Sequence, residues 1–432
     1  KYLIYKNLTH MNISFLTYHI EKLLEQILTF KYPADGSVRF YFKQNTKLGS
    51  KDRQFIADAL FNIIRNLSLF RSLSQTSGMN LRHSLALLGL LYNKLPVDKS
   101  QNYAQYLQVE EIEWLNHVTT VNISSLKPTI AYSMPEWLWQ SLNEQYKKTA
   151  TDIAVSMLLP SNLDVRVNTL KTDRDTAMEE LYQQKIMAGY TPYAPNALRL
   201  EAKVSIHNTQ LFEAGWFEIQ DEGSQLLCHV LNPKRGEMVV DFCAGSGGKT
   251  LALGAMMRST GRIYAFDVED KRLKKLKPRL ARSGLSNVYS ALIQHENDTA
   301  VKRLHGKIDK LLLDVPCSGI GTLRRNPDLK WRQNLQSLEE LNQKQRSILQ
   351  QASKVLKSGG QLVYATCSLL KQENEDIVQE FLANNEGFKL VNIKDVLLKQ
   401  NINIESLEDD YLRLYPHVHS TDGFFAALIQ KV

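Results

Sequence analysis

Cysteine is scarce in this chain: Cys228, Cys243, Cys317 and Cys367 are the only four in 432 residues. That is too few to staple so long a chain with disulfides, and none stands in a C-x-x-C pair, which argues against a structural zinc site. Free thiols in a reducing cytoplasm are the expectation, with no metal. Long apolar runs are missing too. No stretch approaches the ~20 residues that span a bilayer, so a soluble protein is expected. The opening "KYLIYKNLTHMNISF" has no apolar core followed by a small-residue cleavage site. It also lacks an initiating Met, which makes Met11 a candidate start or the first ten residues a trimmed end. Internal repeats and low-complexity tracts are absent, and strand signals are nearly absent before residue 148.

What is present is ordinary globular composition, 43% hydrophobic and 23% charged, with length enough for two or three domains. Lys and Arg exceed Asp and Glu by 53 − 45 = 8. Such a surplus suits an anionic partner, nucleic acid first, and a solubilising surface explains it equally well. Oligomerisation has no signature, and a monomer is expected.

Residues 12–148 read as helical. "FLTYHIEKLLEQIL" and "SKDRQFIADALFNIIRNL" space apolar residues at helical intervals, the second with Ser50 as the expected N-cap. "LRHSLALLGLLYNKL" and "PEWLWQSLNEQY" follow, the latter with Pro135 at its start. Residues 150–221 read as a small α+β module: "DVRVNTLK" alternates like a strand, "DRDTAMEELYQQKI" like a helix, and strand-like pieces lie near Leu198–Leu200 and Trp216–Ile219. From 222 to 432 apolar strands alternate with helices. "EMVVDF", "GRIYAFD", "NVYSALI", "IDKLLLD" and "GGQLVYAT" are the strands, and helices begin near Gly248, Asp270, Ser337 and Lys371. This alternation predicts a parallel, doubly wound sheet with ligands beyond the carboxyl ends of its strands.

"DFCAGSGGKT" (241–250) ends like a phosphate loop, but counting removes that reading. A Walker loop needs glycine five positions before Gly248, and that position is Cys243. The dinucleotide fingerprint, begun by Gly245 and Gly247, needs glycine where Thr250 stands. A strand, an acidic end at Asp241, a glycine-rich turn and a helix remain. The next strand ends in Asp267, where a carboxylate can accept hydrogen bonds from ribose hydroxyls. A nucleoside without a pyrophosphate fits this pattern, and S-adenosylmethionine is the expected cofactor; a purely structural turn is the weaker alternative.

"LLLDVPCSGIG" places Asp314 and Cys317 just past one strand, and "LVYATCS" places Cys367 just past another. A lone cysteine there reads as packing. Two, 367 − 317 = 50 residues apart and both beside the expected cofactor, point to chemistry. A thiolate that adds to carbon 6 of a pyrimidine activates carbon 5 toward a sulfonium methyl group, and a second thiol can assist release. Asp314 can hydrogen-bond the ring edge and steady the developing charge. Cys228, within "SQLLCHVL", reads as a buried helical cysteine.

With "DFCAGSGGKT", "DVPCSGIGTLRRNPDLKW", "YATCSLLKQENE" and the closing "DGFFAALI", residues 160–432 resemble the Nop/Sun family of RNA 5-methylcytosine methyltransferases, of the bacterial Fmu/RsmB type. The resemblance implies a class I methyltransferase fold (a Rossmann-like α/β sheet) and, more weakly, a NusB-like RNA-binding domain over the N-terminal helices. It implies Cys367 as nucleophile and Cys317 as the residue assisting release. It assigns S-adenosylmethionine to Cys243, Ala244, Gly245, Ser246, Gly247, Gly248, Lys249, Asp267 and Asp314. A further acidic contact to adenine is expected from "QHEND", at Asp298 in preference to Glu296. The chain departs from the family at Gly245-Ser246, where Ala-Pro is usual. RNA is the implied substrate, ribosomal first and transfer RNA next, in single-stranded or looped form because the target base must leave any stack. A non-catalytic RNA-binding or assembly factor on the same fold, and a DNA cytosine methyltransferase, are the alternatives.

For phosphate contacts, Arg324, Arg325 and Lys330 are the candidates because they follow Cys317 closely, with Arg166 and Asn168 weaker ones. The seven basic residues between Lys271 and Arg282 read as a solvated helix face.

Overall fold

The computed structural model describes residues 12–201, 204–407 and 409–432. The expectation about Met11 and the first ten residues falls outside them. Two compact units are present: Lys1–Leu159 with Leu323–Asn334, and Pro160–Thr322 with Leu335–Val432. No described helix is long and apolar enough to cross a membrane.

The regular elements among the described residues of the first unit are all helices. In the helix Ile13–Ile27, residues Ile13, Leu16, Ile20, Leu23, Leu24 and Ile27 form one buried stripe, the spacing that puts apolar groups on a single face. Leu81–Leu91 is buried from Ser84 onward and forms the centre of the unit. The helix Ser50–Arg65 is capped one residue earlier than the sequence suggests. Gly49 takes the N-cap position, and its N–H donates to Asp52 Oδ2 at 3.2 Å, so Ser50 is the first helical residue.

The segment 323–334 belongs to this helical unit. Trp331 packs against its core, and its ring N–H donates to the Ile64 carbonyl at 2.9 Å. Lys330 Nζ donates to the Arg65 carbonyl at 2.8 Å. Ile64 and Arg65 end their helix, where carbonyls lack intrahelical partners, so Lys330 and Trp331 serve as its C-terminal cap.

The second unit holds two sheets. In the smaller, β1 (Leu163–Val167), β2 (Ala188–Tyr190), β3 (Ala197–Leu200) and β4 (Phe217–Ile219) run antiparallel in the order β2-β3-β1-β4. β1 stops at Val167, earlier than its alternation suggests. Asn168 turns its side chain inward, donating to the carbonyls of Gly215 and Ser283 at 2.9 Å each.

The larger sheet contains β5 (Met238–Asp241), β6 (Arg262–Asp267), β7 (Val288–Leu292), β8 (Ile308–Asp314), β9 (Leu356–Thr366), β10 (Phe388–Val391), β11 (Tyr411–Leu414) and β12 (Phe424–Lys431). β5 to β9 are parallel neighbours in the order β9-β8-β5-β6-β7. β12 runs antiparallel beside β9, and β10 and β11 pair antiparallel with β12. The five parallel strands are those the sequence pattern identifies. β12 is buried from Phe424 to Ile429, and such an unbroken apolar run carries no sign of direction. Strand order reverses between β5 and β8, the switch point at which ligands bind in sheets of this kind.

Candidate active site

At the end of β5 the chain enters a turn that takes two glycines through positive φ. Gly245 and Gly247 have φ of +58° and +89°. A Cβ on Gly247 would lie 2.1 Å from Leu276 Cδ1, so this position also lacks room. A Cβ on Gly245 would meet nothing within 4 Å, so that side of the turn is open. Ala244 N–H donates to the Phe266 carbonyl at 2.8 Å, and Gly245 N–H to Asp267 Oδ2 at 2.7 Å. The loop is thus tied to the end of β6, and the helix Gly248–Met256 starts from it.

Three strand ends bring carboxylates to this edge: Asp241 from β5, Asp267 from β6 and Asp314 from β8. Asp267 keeps its second oxygen on the Glu269 N–H at 2.8 Å. Asp241 accepts from the Thr250 hydroxyl at 2.6 Å through Oδ2, while its buried Oδ1 has no hydrogen-bond partner. Burial, reinforced by the charge of Asp314, pushes the Asp241 carboxyl up to about 7. Lys249 Nζ donates to Asp314 Oδ2 at 2.6 Å. Burial works against that ammonium, but Asp314's charge and hydrogen bond outweigh it, and the Lys249 pKa is raised. Lys249 is paired with Asp314, and the carboxylates of Asp267 and Asp241 at the same edge suit a positively charged ligand. Together with the open side at Gly245 and the free oxygen of Asp241, this environment fits S-adenosylmethionine, which carries a sulfonium and no phosphate.

Cys243 lies in the same loop, and burial, with the nearby carboxylates, raises its thiol pKa. Such a thiol stays protonated. Cys228 is fully buried in the helix Glu222–Leu231, as its sequence context indicates, and burial pushes its thiol up to about 12.

Cys317 and Cys367 meet. Their sulfurs are 3.4 Å apart, although 50 residues separate them. Parallel pairing of β8 with β9 sets their two loops side by side. Gly321 N–H donates to the Cys367 carbonyl at 2.9 Å, and Gly423 N–H donates to the Gly321 carbonyl at 2.8 Å. A Cβ on Gly321 would fall 2.2 Å from the Gly423 carbonyl oxygen, so the approach of the loops depends on that glycine. The hydrogen bond shared with Cys367, then burial, raise the Cys317 pKa well above the ordinary thiol value.

Beneath the pair lies a polar network that the sequence pattern quotes but does not interpret. Glu373 is fully buried, accepting from Ser318 N–H at 2.7 Å, the Ser318 hydroxyl at 2.5 Å and Gln345 Nε2 at 3.0 Å. Asn374 accepts from the Thr366 hydroxyl at 2.5 Å and donates to the Ser368 carbonyl at 3.1 Å. Adjacent residues of "KQENE" therefore pin the loop after Pro316 and the loop after Thr366. Their position five and six residues past the T-C-S motif is the only signal the sequence carries for them.

Several expected contacts lie elsewhere. Lys330 is 3% exposed and caps a helix within the helical unit, so it is not a surface phosphate contact. Arg324 is buried in the same unit, and its carbonyl accepts from Arg65 Nη2 at 2.9 Å; Arg325 is half-buried. All three belong to Leu323–Asn334, the segment that clusters with the helical unit. Arg166 and Asn168 are buried and bonded within the protein. Asp298 caps the short helix Thr299–Lys302, accepting from Ala300 N–H at 2.9 Å and Gln294 N–H at 3.0 Å, bonds that lower its pKa. Glu296 accepts from the Ser347 hydroxyl. Both carboxylates of "QHEND" thus have structural partners. On the basic helix, Lys271, Lys274, Lys275 and Lys277 are exposed, but Arg279 and Arg282 turn inward onto Glu218.

Comparison with known proteins points to the same cofactor. The family described as 16S rRNA methyltransferase RsmB/F matches residues 228–430, and the RsmF/B-like ferredoxin-like domain matches residues 134–207. A probable ribosomal RNA small subunit methyltransferase B of Synechocystis is 36% identical over 306 residues, 69% of this chain and 67% of that protein. The ribosomal RNA small subunit methyltransferase B of Shewanella oneidensis is 28% identical over 417 residues, 91% of this chain and 94% of its own length. Among solved structures, NSun6 from Pyrococcus horikoshii with SFG, an S-adenosylmethionine analogue, covers 69% of this chain and 98% of its own at 25% identity and TM-score 0.62.

Proposed function

The chain belongs to the RsmB/F family of ribosomal RNA methyltransferases, with S-adenosylmethionine as cofactor, and from that premise we propose that it methylates carbon 5 of a cytosine in small-subunit ribosomal RNA through a covalent cysteine adduct. The observation that carries this reading is the 3.4 Å approach of Cys317 and Cys367 beside the glycine loop.

Cys367 Sγ, as thiolate, adds to carbon 6 of the flipped cytosine. Bond formation there places electron density on carbon 5. S-adenosylmethionine, when bound, would supply an electrophilic methyl group on sulfur, and the 243–249 loop with Asp267 and Asp314 would hold it. Asp314, itself fixed by Lys249, steadies the ring edge as charge develops. Cys317, kept a neutral thiol by its raised pKa, gives its proton to the departing Cys367 sulfur and takes the carbon 5 proton in exchange. The carbon 6–sulfur bond breaks, the ring double bond re-forms, and one proton per turnover passes to solvent.

The two thiols have different consequences when removed. C317A is expected to form the adduct but release it slowly, so a covalent RNA–protein species accumulates on denaturing gels. C367A is expected to form none. Loss of the adduct in C317A with retention in C367A reverses the assignment and matches the DNA-type arrangement. Absence of adduct and of methyl transfer in both variants and in the intact protein leaves a non-catalytic RNA-binding factor. Bisulfite sequencing of RNA from a deletion strain identifies the cytosine and separates ribosomal from transfer RNA.

A further inference from the structure

The glycine loop is braced from the small antiparallel sheet. Arg166 on β1 and Glu218 on β4 are directly paired across the two strands, so their side chains share one face. Gln220 follows just beyond β4, and all three are buried. From this face two lines of contact reach the loop. Arg166 Nε donates to Gln220 Oε1 at 2.7 Å, and its Nη2 approaches the Gly248 carbonyl at 3.4 Å. Glu218 Oε2 accepts from Arg279 Nη2 at 2.7 Å and Nε at 3.2 Å, while its other oxygen accepts from Arg282. Arg279 Nη1 then donates to the Ser246 carbonyl at 2.6 Å and to the Ser246 hydroxyl at 3.1 Å.

Ser246 sits between Gly245 and Gly247, both at positive φ. A glycine on each side leaves Ser246 and its flanking peptides free to take several orientations, and ordering glycines costs more than ordering other residues. The loop therefore needs an outside brace to hold one shape before a ligand arrives. Arg279 provides it, with three of its nitrogens committed, and a planar guanidinium held by a buried carboxylate is a rigid one.

We propose that Glu218 and Arg279 are positioning residues that pre-order the Gly245–Gly248 loop through Ser246, so that the small sheet sets the affinity for S-adenosylmethionine. Neither residue touches the reacting atoms, and neither is needed for the cysteine chemistry. The proposal accordingly separates cofactor affinity from turnover.

Calorimetric titration of S-adenosylmethionine into the full chain, without RNA, tests this independently of the proposed cytosine reaction. R279M is expected to raise the dissociation constant about tenfold, as for loss of a charge-assisted hydrogen bond at a pre-ordered site. E218Q, which keeps an acceptor for Arg279, is expected to raise it about threefold, and R279K to recover part of the R279M loss. Hydrogen exchange of the apoprotein is expected to speed up at residues 244–248 in R279M. Turnover at saturating cofactor is expected to change less than twofold. R258M is the control: Arg258 Nη1 donates to the Thr169 carbonyl at 2.7 Å and ties the small module down without touching the loop. It is expected to lower the melting temperature and leave cofactor affinity unchanged. An R279M dissociation constant within twofold of the parent, or equal shifts in R279M and R258M, overturns the proposal.

Discussion

Replacing Glu373 tests how the two cysteine loops are held together. In E373A three donors lose their acceptor. The Ser318 hydroxyl can turn to Ser368 Oγ, 3.3 Å away, and Gln345 keeps the Pro316 carbonyl at 3.0 Å. The Ser318 N–H has no such alternative, and a buried donor left unmade costs about 1–3 kcal/mol. The emptied carboxylate volume adds a cavity, bringing the total to about 3–5 kcal/mol. E373Q behaves differently. Its amide oxygen can serve Ser318 N–H and Gln345, and its NH₂ can donate to the Ser318 oxygen. Only charge assistance is lost, at about 0–2 kcal/mol. At roughly 2–4 °C per kcal/mol for a unit of this size, E373A is expected to melt about 10 °C lower and E373Q only a few degrees lower. The carboxylate is also one of the charges that hold the Cys317 pKa up, after Cys367 and burial. E373Q is therefore expected to lower that pKa, and iodoacetamide is expected to alkylate Cys317 faster at pH 8 than in the parent, read by peptide mass spectrometry. An E373A midpoint within 2 °C of the parent would refute the pinning role. Slower alkylation in E373Q would refute the electrostatic one.

Three further outcomes are expected. His83 bridges Glu21 at 2.7 Å and Glu111 at 2.6 Å; burial opposes its charge, but the two carboxylates outweigh it and its pKa lies above the usual ~6.5. Its contribution is full below ~6.5 and lost as pH rises through the raised folded value, so denaturation from pH 6 to 9 is expected to show a loss of stability that H83Q lacks. K330M is expected to leave the slope of log affinity for RNA against log salt unchanged, whereas loss of a true phosphate contact would reduce it by about 1. Gly321→Ala forces a Cβ against the Gly423 carbonyl and is expected to part the cysteine loops, lowering the melting temperature and adduct formation together.

Much of the catalytic unit was legible in the sequence because its signals are local. Strands β5 to β9 are short apolar runs bounded by turn residues, and Gly245 and Gly247 of "DFCAGSGGKT" take the positive φ that glycine favours. Cys317 and Cys367 announced themselves by following strands that lie in one parallel sheet. The misplaced residues share the opposite property. Lys330, Arg324, Arg166 and Arg279 are basic side chains whose environment depends on elements far away in the chain, and charge in a sequence reads as exposure by default. Ser50 was displaced as N-cap by Gly49 because the competing partner, Asp52, lies inside the helix.

The chain by itself determined the sheet's parallel core and the cofactor class, since the strands and the glycine loop rest on patterns within a few positions. Folding in three dimensions decided which charges are buried and against what. It drew Leu323–Asn334 into the helical unit, set Glu373 under the cysteines and turned Arg279 onto Ser246. Burying a charge is costly unless a partner meets it, and that partner is supplied by tertiary contact, which no local pattern encodes.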